Sequence, residues 1–311
     1  MVSKYYYSFN QYLKEKFKNR VHRLSLNAGF SCPNLDGTLS KDGCIFCNNK
    51  SFSHFVNKNF SLEEQIIEAK NYAYRRFKAK KFIAYFQSFS NTYGSIEFLE
   101  SKYEIIKKFD DIVGLAISTR PDCIDETKLK LIQSFTKDYE VYIEYGLQSA
   151  NDKTLKLINR NHTFSDFQKA VELTSKYKEI KIGVHIILGL PGENREDMLN
   201  TARVISHLPL WGIKFHCLHI VKGSTLETMY KDSNIKVLSC EEYVNILIKF
   251  LEIIPSNWVV LRLVSDVDKD FLIAPLWINN KHKVLQFIEQ EFNNRNTYQG
   301  KYFLSYSNSL K

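Results

Sequence analysis

Short apolar runs alternate with amphipathic segments from residue 21 to residue 221, and this alternation sets the predicted secondary structure. Residues 21–26 alternate apolar and polar side chains, as a half-buried strand does. Five further apolar runs are predicted as strands, at 82–87, 112–118, 140–147, 180–188 and 213–221. Helical patterns separate them, at 61–80, 96–109, 125–135, 154–158, from 163 onwards and at 194–207. The first of these helices opens with a capping box at residues 61–64.

Strands separated by helices of this length pair in parallel, with the helices packed outside the sheet. The chain is therefore predicted to be an α/β protein with six parallel strands. We expect three regions: an aromatic and basic segment at 1–20, a core at 21–221, and an extension at 222–311 that lacks the same rhythm. The first segment is predicted to form a helix that packs its aromatic side chains on the core. Aromatic residues interleaved with basic ones also suit nucleic-acid binding.

The composition is that of a globular protein, because 44% of the 311 residues are hydrophobic and 25% are charged. No apolar run is long enough to span a membrane, and the first residues lack the apolar core of a signal peptide. We therefore expect a cytoplasmic protein with no membrane association, in which clustered cysteines are metal ligands rather than disulfides. The formal net charge of +9 favours an approach to nucleic acid, but a general abundance of lysine explains it equally well.

Three of the six cysteines, Cys32, Cys44 and Cys47, are close together in the pattern Cys-x11-Cys-x2-Cys. Thiolates are strong ligands for iron and zinc. A structural zinc ion normally takes four protein ligands, and the nearest spare candidate, His54, does not complete a familiar spacing. A cubane cluster held by three cysteines leaves one iron open for a substrate or cofactor. The spacing alone leaves a zinc knuckle and three merely buried thiols as alternatives.

The segment 44–47, Cys-Ile-Phe-Cys, resembles the end of the cysteine motif of the radical S-adenosylmethionine (SAM) superfamily. The wide first gap, together with the segment 27–34, resembles the YhcC type of small bacterial radical SAM proteins, which is similar to the radical SAM domain of the Elongator catalytic subunit. Segments 272–277 and 297–301 also resemble that type, so the resemblance runs from about residue 5 to residue 302. It implies a partial (β/α)6 radical SAM barrel with a C-terminal extension and with sites at the carboxyl ends of the strands.

The resemblance also implies the cofactors. Cys32, Cys44 and Cys47 would hold a [4Fe–4S] cluster whose open iron binds SAM. An electron from a donor of the flavodoxin or ferredoxin type would then cleave SAM to a 5′-deoxyadenosyl radical, which abstracts hydrogen from the substrate. Cys123, Cys217 and Cys240 share no ligand spacing and are interpreted as free thiols.

Polar residues at the predicted strand ends, with one aromatic residue of the cysteine motif, are the SAM contacts that the resemblance implies. They are Phe46, Gln87, Ser88, Ser118, Arg120, Glu144, Gln148, Arg160 and His185. The guanidinium of Arg160 suits the SAM carboxylate, and Gln148 offers donors and an acceptor. His185 stands where related proteins often have an acid near the cofactor ribose. A surface arginine and a core histidine are the structural alternatives for Arg160 and His185.

For the substrate, the Elongator resemblance and the basic charge favour tRNA with a modified wobble uridine. The reaction implied is a change in the side chain at uridine C5, from carboxymethylaminomethyl to aminomethyl. Two other functions stay open at this point. One is a radical SAM enzyme that acts on a small metabolite or a peptide, and the other is a non-enzymatic, zinc-bound RNA-binding protein.

Overall fold

A parallel sheet is the main feature of the structure, a computed structural model that describes residues 4–48, 60–232 and 235–303. In chain order the strands of this part of the chain are β1 (Val21–Leu26), β2 (Lys81–Phe86), β3 (Ile112–Thr119), β4 (Glu140–Gln148), β5 (Ile180–Leu188), β6 (Gly212–Cys217), β7 (Ile220–Val221), β8 (Val259–Arg262) and β9 (Leu272–Ala274). Seven of them form the main sheet in the order β1-β2-β3-β4-β5-β6-β8, and every pair in it is parallel. The curled sheet with its helices confirms the predicted α/β fold of a partial barrel.

The helices follow the predicted rhythm between the strands. In the described residues they are α1 (Phe9–Phe17), α2 (Leu62–Phe77), α3 (Ile96–Tyr103), α4 (Glu126–Ser134), α5 (Asp152–Leu157), α6 (Phe164–Ser175), α7 (Arg195–Ile205), α8 (Thr225–Lys231), α9 (Cys240–Ile253) and α10 (Lys281–Asn294). The capping box of α2 is present, because Ser61 Oγ accepts from Glu64 N and the Glu64 carboxylate accepts from Ser61 N. Seven of these helices join the strands in one large core through their apolar faces: α2, α3, α4, α6, α7, α9 and α10.

The predicted end of the sixth strand was wrong. The sixth strand was predicted to run to residue 221, but β6 ends at Cys217, where the backbone N–H bonds to Ser265 Oγ. Strand β7 is separate and pairs antiparallel with β9. Apolar residues lie on both sides of Cys217 in the segment 213–221, so the hydrophobic pattern does not indicate this break.

A seventh strand of the main sheet, β8, comes from the region that was predicted to lie outside the barrel. Helix α9 precedes it, and both belong to the same core as the preceding strands. Strand β8 has only four residues, which is short for a globular protein, and its pattern is therefore weak. The division at residue 221 stays a prediction.

Helix α1 confirms the helix predicted in the first segment, and the residues before it contact the free edge of β8. Val260 N donates to Tyr7 O at 2.8 Å. Gln299, which is buried, donates its backbone N–H to Tyr5 O and accepts from Tyr7 N at 3.0 Å. Because α1 also contacts β1, this segment spans the seam between the two edges of the sheet.

The interior of the barrel is filled by an apolar cluster below a polar layer. The cluster consists of Phe9, Leu13, Val21, Ile83, Tyr85, Ala116, Tyr142 and Val259. Side chains of α1 therefore pack against strands that lie on opposite sides of the barrel. No helix in the described ranges is both long and apolar enough to cross a membrane.

Candidate active site

A cavity of about 150 Å³ lies where the cysteine loop meets the carboxyl ends of β2 to β5, and we call it the cysteine cavity. Ten of the twelve predicted site residues line it: Cys32, Cys44, Phe46, Cys47, Gln87, Ser118, Arg120, Gln148, Arg160 and His185. The structure thus brings together residues that are far apart in the sequence, because parallel strands present their carboxyl ends at one edge.

The cysteines face this cavity from the loop after β1. Cys32 and Cys44 are buried and Cys47 is half-buried. Polar groups approach two of the sulfurs, since Asn34 Nδ2 lies 3.4 Å from Cys44 Sγ and Ser90 Oγ lies 3.7 Å from Cys32 Sγ. Burial raises the pKa of the Cys47 thiol to about 12, and the neighbouring thiols add to this effect. Three thiolates at this site therefore require a cationic group among them.

The donor set consists of three thiols that line one cavity. Within residues 4–48, 60–232 and 235–303, no group of three or more His, Cys, Asp or Glu side chains is arranged to hold one metal ion. A cubane places each cysteine on a different iron, so three thiols that share a cavity suit it. His54, the nearest spare zinc ligand in the sequence, lies outside the described residues.

Gln148 and Arg160 converge on Gly146 at the end of β4. Gln148 has a φ of 79°, a left-handed backbone conformation, and its Nε2 would lie 2.8 Å from a Cβ built on Gly146. Arg160 Nη2 would lie 2.9 Å from the same Cβ and donates to Gly146 O at 2.6 Å. Any side chain at position 146 would displace both groups, so this glycine permits the arrangement.

Arg160 also reaches the cysteines. Its Nη1 lies 3.5 Å from Cys44 Sγ, and its buried Nε has no hydrogen-bond partner in the described part of the chain. A buried donor without an acceptor is costly, and a negatively charged ligand in the cavity would satisfy it. The guanidinium therefore fits the predicted contact with a carboxylate of SAM, and it also contacts Cys44, a predicted cluster ligand.

Arg120 is differently placed. Its guanidinium makes two hydrogen bonds to Asp122, of 2.9 and 2.7 Å, and a third to Asn161 O. Only Nη1 is buried without a partner among the described residues. Asp122 therefore neutralises most of the positive charge of Arg120 that a cofactor would meet.

Ser118 lies nearby, at the end of β3. Its backbone oxygen accepts two hydrogen bonds from Asn91, which connect the loop after β2 to β3.

Glu144 lies behind the cavity rather than in its wall. Its carboxylate is 2.6 Å from Arg23 Nη1, 2.7 Å from His185 Nε2, 3.0 Å from Tyr85 Oη and 3.3 Å from Lys214 Nζ. Burial alone would raise the pKa of Glu144, but Arg23 and Lys214 hold it well below its usual range. The geometry favours a positioning role, since Glu144 orients the His185 ring that lines the cavity. Direct contact with the cofactor stays a prediction.

A second cavity of about 150 Å³, which we call the inner cavity, adjoins the first. The two share Phe46, Gln87, Ser118, Gln148 and His185. The inner cavity adds Ser88, Ile187, Lys214, His216, Cys217, Leu218 and His219. A group bound in the inner cavity would therefore lie next to a cofactor bound in the cysteine cavity.

Sequence reasoning gave no role to Asn34 or Lys214. Asn34 is fully buried and contacts both Cys44 and the backbone of Asn159. Its position two residues after Cys32 was the available signal. Lys214 lies in an apolar strand, where a lysine is usually interpreted as part of a solvated edge.

Of the remaining cysteines, Cys217 lines the inner cavity, whereas Cys123 and Cys240 line neither cavity.

Family models match both parts of the chain. The radical SAM superfamily model matches residues 41–205, and the radical SAM C-terminal domain model matches residues 210–294. Bacillus subtilis YtqA is 38% identical over 303 residues, 97% of this chain and 94% of YtqA. Escherichia coli YhcC is 36% identical over 270 residues, 86% of each chain. The chain therefore belongs to the radical SAM superfamily and, within it, to the group that includes YhcC. This confirms the family and the two cofactors that the cysteine motif implied, because the family uses a [4Fe–4S] cluster and SAM.

More distant similarities extend to two further proteins. The tRNA uridine(34) acetyltransferase of Dehalococcoides mccartyi is 27% identical over 180 residues, 57% of this chain and 38% of that enzyme. Among solved structures, Methanocaldococcus infernus Elp3 superposes with a TM-score of 0.58 at 20% identity, over 87% of this chain and 63% of that chain. The second likeness shows a shared fold.

Replacing Arg160 with alanine is expected to weaken SAM binding by about 10- to 100-fold, the effect of losing hydrogen bonds to a charged group. Equilibrium binding of SAM to the iron-loaded protein measures this, alongside iron content. The control is Arg203→Ala, which alters an arginine paired with Glu196 on the outer helix α7 and should leave the affinity unchanged. If Arg160→Ala binds SAM as tightly as the wild type, Arg160 is not a cofactor contact.

Proposed function

We propose that this radical SAM enzyme changes the C5 side chain of a tRNA wobble uridine, converting carboxymethylaminomethyl to aminomethyl. The observation that carries the proposal is the pair of adjoining cavities, one with the predicted cluster and SAM residues and one with a buried lysine and histidines. Similarity to a tRNA uridine(34) acetyltransferase over 180 residues supports the choice of tRNA. The formal charge of +9 suits a polyanionic substrate.

In this proposal the residues of the cysteine cavity hold the cofactors. Cys32, Cys44 and Cys47 hold the cluster, and Arg160 and Gln148 bind SAM. When bound, these groups would supply a 5′-deoxyadenosyl radical that removes one hydrogen atom from the CH2 of the carboxymethyl group, and the oxidised cluster would accept one electron from the resulting substrate radical. Hydrolysis of the resulting substrate iminium by one water would break the C–N bond and release the aminomethyl group and glyoxylate. The buried walls keep water from the reacting atoms, and Glu144 fixes the His185 ring beside them through the 2.7 Å bond.

The proposal has further requirements. Radical SAM enzymes need an electron donor, and a flavodoxin or ferredoxin in the cytoplasm is the partner we propose. Membership of the superfamily favours an enzyme over a zinc-bound RNA-binding protein. A small metabolite or a peptide is the competing substrate. Mass spectrometry of tRNA nucleosides distinguishes these two classes of substrate from tRNA.

Transfer RNA from a strain that lacks this protein is expected to carry carboxymethylaminomethyluridine in place of later products at the wobble position. Incubating that tRNA with the iron-loaded protein, SAM and a reductant should yield the aminomethyl nucleoside together with 5′-deoxyadenosine. Mass spectrometry of the nucleosides measures both reactions. Cys44→Ala is the inactive control. Unchanged nucleosides in the deletion strain and in the reaction would move the substrate to the metabolite or peptide class.

A further inference from the structure

Lys214 is a buried lysine whose side chain lies inside the barrel. It lies on β6 between Ile213 and Phe215, and its side chain is only 5% exposed. Its Nζ lies 2.6 Å from Tyr85 Oη and 3.3 Å from Glu144 Oε2. An ammonium group has three donors, so these two contacts leave one N–H without an acceptor among the described hydrogen bonds. Lys214 also lines the inner cavity.

The polar layer around Lys214 has more positive than negative groups. Glu144 is the carboxylate that contacts Arg23 and Lys214. Arg262, paired with Lys214 in the register of β8 and β6, places its Nη2 2.7 Å from His216 Nδ1. Arg23 and Lys214 thus contact one carboxylate beside the inner cavity, and Arg262 adds a third positive charge that Asp266 partly offsets. Uncompensated buried charge is unfavourable, and an anion in the cavity would reduce the imbalance.

Burial and the neighbouring cations lower the pKa of Lys214, and a bound carboxylate would favour its charged form. Burial, together with Arg262 and Arg23 and against the attraction of Glu144, lowers the pKa of Lys214 to about 7. Burial likewise lowers the pKa of His185 to about 4 and that of His216 well below its usual range. These imidazoles are neutral near pH 7, and they provide hydrogen-bonding groups without adding charge.

On the basis of the proposed function, we infer that the inner cavity binds a carboxylate of the substrate and that Lys214 is the residue that binds it. The carboxymethylaminomethyl group ends in a carboxylate, which matches an ammonium at the end of a narrow, buried site. Lys214 belongs to the part of the inner cavity that is not shared with the cysteine cavity. With the carboxylate on Lys214, the adjacent carbon and nitrogen lie toward the shared wall that Gln148 and His185 form. The carboxylate end of the side chain thus lies deeper in the inner cavity than its nitrogen.

Two probes test this assignment. The first is a pair of tRNAs that differ only at the wobble position, one with carboxymethylaminomethyluridine and one with unmodified uridine. The second is independent of RNA: sarcosine has the carboxymethylamino group, and sarcosinamide has the same skeleton without the carboxylate. Affinity for the tRNAs is measured with the iron-loaded protein and SAM, and binding of the small probes is measured by saturation-transfer NMR. The variants are Lys214→Met and, as a control, Lys181→Met.

Lys181 is a matched control because it lies on the neighbouring strand β5, at its amino end, with its Nζ 2.8 Å from Glu140. The wild type and Lys181→Met should prefer the carboxylated tRNA by about 10- to 100-fold, the strength of a charge-assisted bond. Both should bind sarcosine and not sarcosinamide. Lys214→Met should lose these preferences while unfolding cooperatively, as judged by thermal denaturation.

The outcomes separate the inference from the proposed function. A carboxylate preference that survives in Lys214→Met, or one that the wild type lacks with both probes, would overturn the inference. Lys214-dependent binding of sarcosine without discrimination between the tRNAs would support the carboxylate site and would reject tRNA as its substrate. Lys214-dependent discrimination between the tRNAs supports both.

Discussion

Cys44→Ala is expected to abolish SAM cleavage and to remove most of the iron, because one ligand of a three-cysteine cluster is lost. Anaerobically reconstituted wild type should contain about four irons per chain, the content of one cubane. Iron analysis, visible absorbance and the yield of 5′-deoxyadenosine measure the effect. Cys44 is the most informative of the three because its sulfur also has Asn34 and Arg160 at 3.4 and 3.5 Å.

Cys240→Ala is the matched control for this experiment, since Cys240 is a free cysteine that lines neither cavity. It should keep the wild-type iron content and activity. The cluster assignment would be wrong if Cys44→Ala retained a full complement of iron, or if the wild type took up stoichiometric zinc and no iron.

Glu144→Gln should lower the free energy of unfolding by about 3–5 kcal/mol, the usual cost of removing one partner of a buried ion pair. The substitution keeps the size of the side chain but leaves Arg23 and Lys214 without their carboxylate. Chemical denaturation at pH 6 measures the difference. The folded-state pKa of Glu144 lies below its ordinary value of 4.5. The difference in unfolding free energy between the wild type and Glu144→Gln should therefore be fully present above pH 4.5 and should shrink as the pH falls below 4.5.

The exposed pair on α7 provides the comparison. Glu196 lies 2.6 Å from Arg203, but its side chain is 71% exposed, so Glu196→Gln should cost less than about 1 kcal/mol. Equal losses in the two variants would show that the layer around Glu144 is not a buried charge network that stabilises the barrel.

Most of the sheet could be predicted from the sequence, because its strands are buried and their apolar runs are bounded by helices. Strands β1 and β5 were predicted with their observed bounds, and β2, β3 and β4 within one residue at each end. The errors occurred where length and pattern carry little information. Strand β8 has four residues, and the break between β6 and β7 depends on a hydrogen bond to Ser265, far away in the sequence.

The site divides in a similar way. The cysteine spacing and the rule that parallel strands end at one edge were enough to indicate which polar residues meet. The charge network was not predictable, because it requires a knowledge of strand order and of which face is internal. Lys214 and Tyr85, for example, are 129 residues apart in the sequence and 2.6 Å apart in the barrel. A lysine or an arginine in a strand gives no local sign that it faces inward.

The segment that spans the seam of the barrel has a consequence for biosynthesis. Tyr7 leaves the ribosome well before Val260 and Gln299, the residues that hold it in place, and Tyr7 and Gln299 are 292 residues apart. Contacts of such long range form late in folding. While translation continues, strand edges that the finished barrel covers remain open to incorrect pairing with other chains. We therefore expect these edges to become protected only after β8 has been synthesised.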